Sequence, residues 1–133
     1  MLVVDANVVA YALIEGGKTE LARALHGVDP DWHAPTLLVH ELTNVFVQFV
    51  RQGGASLDEA PATLAAGLRL VSFMDRDPPA ERVLEIALRL QLSAYDACYL
   101  AAAEALGCKL ATEDGHLLRA APEVARPISA FLP

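Results

Sequence analysis

The sequence contains little cysteine, little positive charge and no long apolar run, and each shortage excludes a class of protein. Only two cysteines are present, Cys98 and Cys108, and their spacing matches no metal-binding pair motif. One lies in a helical pattern and the other opens an apolar strand, so we expect buried, reduced thiols. The longest apolar run, residues 97–106, is interrupted by Glu104 and is too short for a membrane span.

The chain also lacks the signs of a secreted or multidomain protein. Its first five residues have neither the basic region nor the small-residue cleavage site of a signal peptide. No Pro/Gly/Ser-rich linker and no internal repeat is present. A length of 133 residues, with 54% hydrophobic and 20% charged residues, is typical of a globular domain. We therefore expect a single domain over residues 1–133, located in the cytoplasm.

Basic residues are outnumbered by acidic ones, 10 against 17, which gives a formal net charge of −7. This balance argues against non-specific binding of nucleic acid by a broad basic surface. Any nucleic-acid function of the chain has to be compatible with this acidic net charge.

Short apolar segments alternate with helical patterns along the whole chain. Because the first segment is apolar without alternation, it suits a strand buried on both faces of a parallel sheet. The pattern predicts a three-layer α/β/α sandwich around a short, mostly parallel sheet. Strands are expected at 2–4, 32–34, 71–74, 108–112 and 127–131, and helices near 7–15, 20–26 (capped by Thr19), 37–52, 56–70, 79–90, 94–106 and 115–121.

Four acidic residues map to one edge of this predicted sheet. Ligands of such sheets bind at the carboxyl ends of the strands. Asp5 ends the first strand, Asp114 lies just past a later one, and Asp96 lies in the first turn of a helix that begins on the same edge. Glu41 lies in the long helix between apolar positions, and a half-buried carboxylate needs a partner.

A divalent cation explains these acids best when they are taken together. Clustered carboxylates raise one another's pKa unless a cation intervenes, and no run of Lys or Arg is nearby in sequence. Mg²⁺ prefers oxygen ligands, and it can activate water against a phosphodiester. Taken singly, Asp96 and Asp114 are equally explained as helix-capping residues and Glu41 as a residue of a helix face. Asp5 is the hardest to dismiss, since aspartate is disfavoured at the end of a buried strand.

Four segments resemble, in order and over nearly the whole chain, the motifs of the PIN-domain family. The stretch from Ser93 to Ala101 is the most specific of them. The segments are Asp5-Ala6-Asn7; Glu41 followed by Asn44-Val45; Leu92-Ser93-Ala94-Tyr95-Asp96-Ala97 followed by Tyr99-Leu100-Ala101; and Leu110-Ala111-Thr112-Glu113-Asp114 followed by Leu117-Leu118. The size and the motif spacing are similar to those of VapC toxins.

This resemblance implies an endoribonuclease that depends on Mg²⁺ or Mn²⁺, inhibited by a small antitoxin and frequently homodimeric. It implies that Asp5, Glu41, Asp96 and Asp114 are the catalytic metal ligands and that Asn7 and Thr112 are polar groups that orient them. If the turn after the strand is shifted by one residue, Glu113 takes the place of Asp114 as the fourth metal ligand. Asp114 is preferred, because it falls at the position of the acid in the family's fourth motif. Without the four acids the net charge is about −3, so RNA affinity should rest on the metal and a few basic residues.

Other residues and functions stay open at this point. His40 and His116 adjoin site acids and could touch RNA, although packing or surface roles are favoured; Lys18, Arg51 and Arg119 read as solvated surface charge. Tyr95 and Tyr99 are interpreted as core residues and not as a base-stacking platform.

Two alternative functions remain open. One is a metal-dependent phosphatase or phospho-acceptor domain, for which Asp5-Ala6-Asn7 lacks a second Asp. The other is a non-catalytic PIN-like interaction module whose acids only cap helices.

Overall fold

A five-stranded sheet forms the centre of the molecule. The computed structural model describes all residues, 1–133. The strands follow the order β3-β2-β1-β4-β5, and every neighbouring pair is parallel. The strands are β1 (Leu2–Val4), β2 (Trp32–Ala34), β3 (Val71–Phe73), β4 (Lys109–Ala111) and β5 (Ala125–Arg126).

Seven α-helices cover the sheet in two groups, which completes the predicted α/β/α sandwich. The first four helices pack on one another, whereas α5 pairs with α6, and α6 lies on β1 and β4. The helices are α1 (Ala6–Leu13), α2 (Thr19–Val28), α3 (Leu37–Arg51), α4 (Ala60–Leu68), α5 (Ala80–Leu90), α6 (Ala94–Leu106) and α7 (Gly115–Ala120). The predicted fold class is confirmed.

The buried centre follows from the apolar strands. All three residues of β1 are buried, and they belong to a cluster of 31 buried hydrophobic residues. Gly67 lets α4 approach this cluster, because a Cβ atom there would lie 2.6 Å from Leu13 Cδ1 and 3.0 Å from Leu42 Cδ2. A larger residue at position 67 would push α4 away from α1 and α3.

Two local predictions are wrong. The last strand is Ala125–Arg126, and residues Ile128–Phe131 form a 3₁₀ helix instead of the predicted strand at 127–131. Pro127 has no N–H group to donate to a sheet, so pairing ends before it. Thr19 does not cap α2: its hydroxyl donates to the Ile14 carbonyl and accepts from the Gly16 N–H, each at 2.9 Å, and so closes the preceding loop.

Two further expectations concern the state of the cysteines and the lack of a membrane-spanning segment. Cys98 and Cys108 are free thiols, but both are half-buried instead of fully buried as expected. None of the helices has the length and apolar character that a bilayer crossing requires.

Candidate metal centre and active site

One cavity of about 490 Å³ brings the four predicted acids together. Asp5 and Asp114 reach it from the carboxyl ends of β1 and β4, and Asp96 reaches it from the first turn of α6. Glu41 contributes from the second turn of α3. Asn7, His40, Asn44, Tyr95 and Tyr99 complete the polar part of the wall.

Asp5 is the most buried of the four acids, with 7% of its surface exposed. It caps α1, where Oδ1 accepts the Val8 N–H at 3.0 Å, and its other oxygen accepts the Thr112 hydroxyl. Burial raises the pKa of Asp5 to about 6 although both hydrogen bonds oppose the change, and the negative charges of Glu41 and Asp114 add to the rise. A carboxylate in this position therefore favours a nearby cation.

Thr112 connects two of the acids. Its fully buried hydroxyl donates to Asp5 and accepts the backbone N–H of Asp114 at 3.0 Å. Asp114 in turn caps α7, because its Oδ1 accepts the N–H groups of His116 at 2.8 Å and Leu117 at 3.1 Å. The capping role weighed for Asp114 is thus present, and it uses only one carboxylate oxygen.

The Asp96 carboxylate makes no capping hydrogen bond. The Ser93 hydroxyl caps α6 by accepting the backbone N–H of Asp96 at 3.1 Å, so the carboxylate of Asp96 is not needed as the cap. Partial burial, followed by the charge of Asp114, raises the pKa of Asp96, while nearby His116 and the Ser93 hydroxyl oppose the rise. The helix start therefore orients Asp96 without consuming its side chain.

Glu41 is half-buried and faces Tyr99 across the cavity. Tyr99 is 2% exposed, and its hydroxyl has no hydrogen-bond partner. Burial, and after it the Glu41 carboxylate, raises the pKa of this phenol. An unpaired buried hydroxyl beside a carboxylate marks the cavity wall as suited to a polar occupant.

No lysine or arginine lines the cavity, and none of the four carboxylates forms a salt bridge. No three aspartate, glutamate, histidine or cysteine side chains lie close enough together in this structure to hold a metal ion between them. The acids instead line an open space, and Mg²⁺ suits such a space because it retains several of its water ligands. The donor set of carboxylate oxygens fits a hard divalent cation.

Glu113 faces a different part of the molecule. Its Oε2 accepts from Lys18 Nζ at 2.8 Å, and its Oε1 accepts the Ile128 N–H at 2.9 Å. Burial alone would raise the pKa of Glu113, but the bonds from Lys18 and Ile128 leave it lowered. Glu113 is absent from the cavity wall, and the geometry therefore favours Asp114 over Glu113 as the fourth acid.

Among the weaker candidates, His40 lines the cavity and His116 is exposed close to Asp96. Asn7 lines the cavity, whereas Thr112 reaches it only through its bonds to two acids. None of the basic residues Lys18, Arg51 and Arg119 lines it.

The interpretation of both tyrosines as core residues is correct for Tyr99 and wrong for Tyr95. Tyr95 is 62% exposed at the rim of the cavity. Helical spacing puts the two rings on one face of α6, but Tyr95 lies in the exposed first turn, whereas Tyr99 lies one turn further along, in the buried part of the helix. Its position beside Asp96 in the most specific motif was the available signal.

One protein family model and several known proteins match this chain over most of its length. The PIN domain family model matches residues 2–122. Ribonuclease VapC9 of Mycobacterium tuberculosis is 33% identical over 120 residues, which cover 88% of each chain. Ribonuclease VapC3 of Pyrobaculum aerophilum is 29% identical over 129 residues, covering 95% of this chain and 98% of the relative. The crystal structure of PAE2754 from Pyrobaculum aerophilum is similar in fold, with a TM-score of 0.79 and 23% identity, covering 98% of this chain and 90% of the other.

Proposed function

The chain belongs to the PIN domain family, on its VapC branch, and from that premise we propose that it is an endoribonuclease and the toxin of a toxin–antitoxin pair. We further propose that the reaction depends on Mg²⁺ or Mn²⁺. The observation that carries the proposal is a cavity lined by four carboxylates and by no lysine or arginine. The names of the VapC relatives support the nuclease activity independently of that cavity.

In this proposal Asp5, Glu41, Asp96 and Asp114 hold the divalent ion. When bound, such an ion polarises a phosphate oxygen and lowers the pKa of a water ligand toward neutrality. The chain's own contribution is to orient the acids: Thr112 binds Asp5 and the backbone of Asp114, and the turn at Ser93 presents Asp96. Asn7, which lies at the cavity wall, is a further polar group for water or phosphate.

The acidic surface is consistent with a selective RNA substrate. A protein of net charge −7 gains little from general attraction to phosphates, so its affinity should depend weakly on salt compared with a basic RNA-binding protein. RNA then binds mainly through the metal and through contacts close to the scissile bond. His40 is the only basic side chain in the cavity wall.

An apolar hollow between α3 and α4 supports the antitoxin part of the proposal. It has a volume of about 340 Å³ and is lined by Phe46, Val47, Val50, Leu57 and Leu64 among others. Val47 and Leu57 are 38% and 77% exposed, which is unusual for apolar side chains that serve only the core. An amphipathic antitoxin helix would fill this hollow, while an arginine or lysine of the antitoxin pairs with the acids.

The VapC resemblance also supports a homodimer. Light scattering on the purified chain tests that assembly, and a monomeric mass at micromolar concentration would remove it from the proposal.

Cleavage by purified protein tests the central proposal. Wild type should cleave RNA with Mg²⁺ or Mn²⁺ and stop when EDTA is added, whereas Asp96→Asn should lose orders of magnitude in rate with an unchanged circular dichroism spectrum. Glu81→Gln is the matched control, because Glu81 is also an acid in the first turn of a helix but lies outside the cavity. Equal rates in wild type and Asp96→Asn would contradict the assignment.

Metal binding is measured separately by melting temperature. A ligand that binds only the folded state stabilises it, so Mg²⁺ should raise the melting temperature of wild type and of Glu81→Gln. Asp96→Asn should respond much less. Metal binding without RNA cleavage would favour a phosphatase, and the absence of both would favour a non-catalytic interaction module.

A further inference from the structure

Two hollows adjoin the acid cavity and share residues of its wall. The first, about 360 Å³ in volume, shares Asn7 and Val45 with the cavity and includes Glu15 and Lys18. The second, about 550 Å³, shares Leu37 and Tyr95 with the cavity and has no charged residue in its wall. A phosphodiester bound in the acid cavity through a divalent ion would therefore have one polar and one apolar neighbouring space.

The apolar hollow, which we call the Tyr95 hollow, lies between the start of α3, the start of α6 and helix α5. Val83 and Leu84 line it from α5, and Leu84 is 59% exposed. Tyr95 forms the partition between the hollow and the acid cavity, and most of its ring surface is open to solvent. The chain thus presents an aromatic ring and aliphatic walls one residue from Asp96.

We propose that the Tyr95 hollow is a nucleobase subsite, in which a base next to the scissile phosphate stacks on the Tyr95 ring. This inference rests on the proposed ribonuclease function and assigns the site its first recognition element for the substrate. Tyr95 is then a specificity-determining residue of the reaction, while the four acids remain its catalytic groups.

Charge and shape favour a base as the occupant. Unstacked bases of single-stranded RNA are bound by stacking on aromatic side chains, and every base offers a flat apolar face. A phosphate would gain nothing in a hollow without a basic wall residue. Because the hollow and the acid cavity share Leu37 and Tyr95 in their walls, a base in the hollow can belong to the nucleotide whose phosphate lies in the cavity.

Oligonucleotides that lack a single base test the proposal. End sequencing of cleaved RNA first identifies one cleaved bond, and short RNAs carrying it are then made with an abasic ribose on either side. At one of the two positions, wild type should lose about 5- to 150-fold in kcat/KM without the base, mainly through KM. Tyr95→Ala should show the same loss on the intact RNA and no further loss on the abasic one.

Two variants separate stacking from other effects. Tyr95→Phe keeps the ring and should retain the wild-type ratio between intact and abasic RNA. Leu88→Ala removes a 73% exposed apolar side chain that lines neither the hollow nor the cavity, and it should also retain that ratio. An equal ratio in wild type and Tyr95→Ala would overturn the subsite while leaving the nuclease proposal intact.

Binding gives the same comparison without cleavage. Fluorescence anisotropy with Ca²⁺ in place of Mg²⁺ compares an oligouridine with an abasic oligomer of equal length. Wild type should prefer the oligouridine and Tyr95→Ala should not; a preference unchanged by the substitution overturns the proposal even if no RNA is cleaved. A change of molecular mass caused by Tyr95→Ala would show that a second copy of the chain covers the hollow, and it would overturn the proposal as well.

Discussion

Asp5 and Thr112 illustrate how single residues of this site balance opposing demands. Asp5 is almost completely buried, yet it receives only two hydrogen bonds and lies near two further acids. Burial of a carboxylate without a counter-charge costs free energy, so the metal-free site is strained. The same strain favours the binding of a cation. The free energy that it costs can be measured from the pH dependence of stability.

The first prediction concerns the pH dependence of stability in EDTA. The pKa of Asp5 is 3.8 in its ordinary environment and about 6 in the folded chain, so the folded state binds this proton more tightly than the unfolded state. Its contribution therefore lowers stability as pH rises between these values, and the loss is complete above them. Asp5→Asn should stabilise the chain relative to wild type by about 2 kcal/mol more at pH 7.5 than at pH 4.5.

Urea unfolding of both proteins at the two pH values measures this difference. Glu81→Gln, which neutralises an exposed acid, is measured alongside to subtract the general effect of losing one negative charge. A constant difference between Asp5→Asn and wild type would mean that Asp5 is not protonated more easily in the folded chain.

The second prediction concerns the hydroxyl of Thr112. Thr112→Val preserves the side-chain shape but leaves the Asp114 N–H without its acceptor and Asp5 Oδ2 without its donor, while Asp5 Oδ1 keeps its bond from the Val8 N–H. The variant should lose about 1–3 kcal/mol in unfolding free energy, the usual cost of unpaired buried polar groups, and most of its cleavage rate. Thr112→Ser retains the hydroxyl and should recover both. If Thr112→Val cleaves RNA like wild type, Thr112 does not orient the acids.

At the scale of elements, the starts of the helices position the site. Three acids reach the cavity from the ends of β1 and β4 or from the first turn of α6, where exposed N–H groups favour negative charge. Three other helix starts, those of α2, α4 and α5, lie away from the cavity. The turn that leads into α4 contains a capping pair, in which Ser56 Oγ donates to Glu59 Oε1 at 2.9 Å and accepts the Glu59 N–H at 3.1 Å.

The third prediction compares two of these helix starts. Ser93→Ala removes the cap of α6 and Ser56→Ala removes the capping pair before α4, so each should cost about 0.5–2 kcal/mol of stability. Only Ser93→Ala should reduce RNA cleavage at saturating Mg²⁺, because Ser93 sets the turn that carries Asp96. Chemical denaturation and initial rates measure the two effects; equal rates in the two variants would contradict a positioning role for Ser93.

At the scale of the whole molecule, the acid cavity and the apolar hollow between α3 and α4 are separate surfaces. They share no wall residue, since one is lined by Glu41 and Asn44 of α3 and the other by Val47 and Val50. A substitution in the hollow can therefore weaken antitoxin binding without altering the wall of the acid cavity.

The fourth prediction uses this separation in cells. Wild type expressed alone should arrest growth, and co-expression of the small protein encoded beside it should relieve the arrest. Val47→Glu puts a charge into the α3–α4 hollow, so this variant should still arrest growth but escape relief. Val28→Glu is the control, because Val28 is 55% exposed and lies outside that hollow. Relief of Val47→Glu as complete as that of wild type would place the antitoxin elsewhere.

Local patterns in the sequence determined the architecture and the edge at which the acids gather. A parallel sheet is predicted by the continuous apolar segment before Asp5 and by the helical patterns between the strands. The carboxyl ends of parallel strands meet at one edge of the sheet. Apart from the last strand, bounds were predicted to within a few residues because caps and stops such as Ser93 and Gly107 act over a single turn. The metal-binding roles of the four acids stay predictions until they are tested.

Only the tertiary structure decided between neighbouring residues with the same chemistry. Asp114 reaches the cavity and Glu113 does not, because Lys18 binds Glu113 from 95 residues away. Asp5 is held by Thr112 across 107 residues, and Tyr95 stays exposed while Tyr99, one turn further along α6, is buried. Sequence periodicity reports which residues share a face of one element, whereas these outcomes depend on which distant element packs against that face.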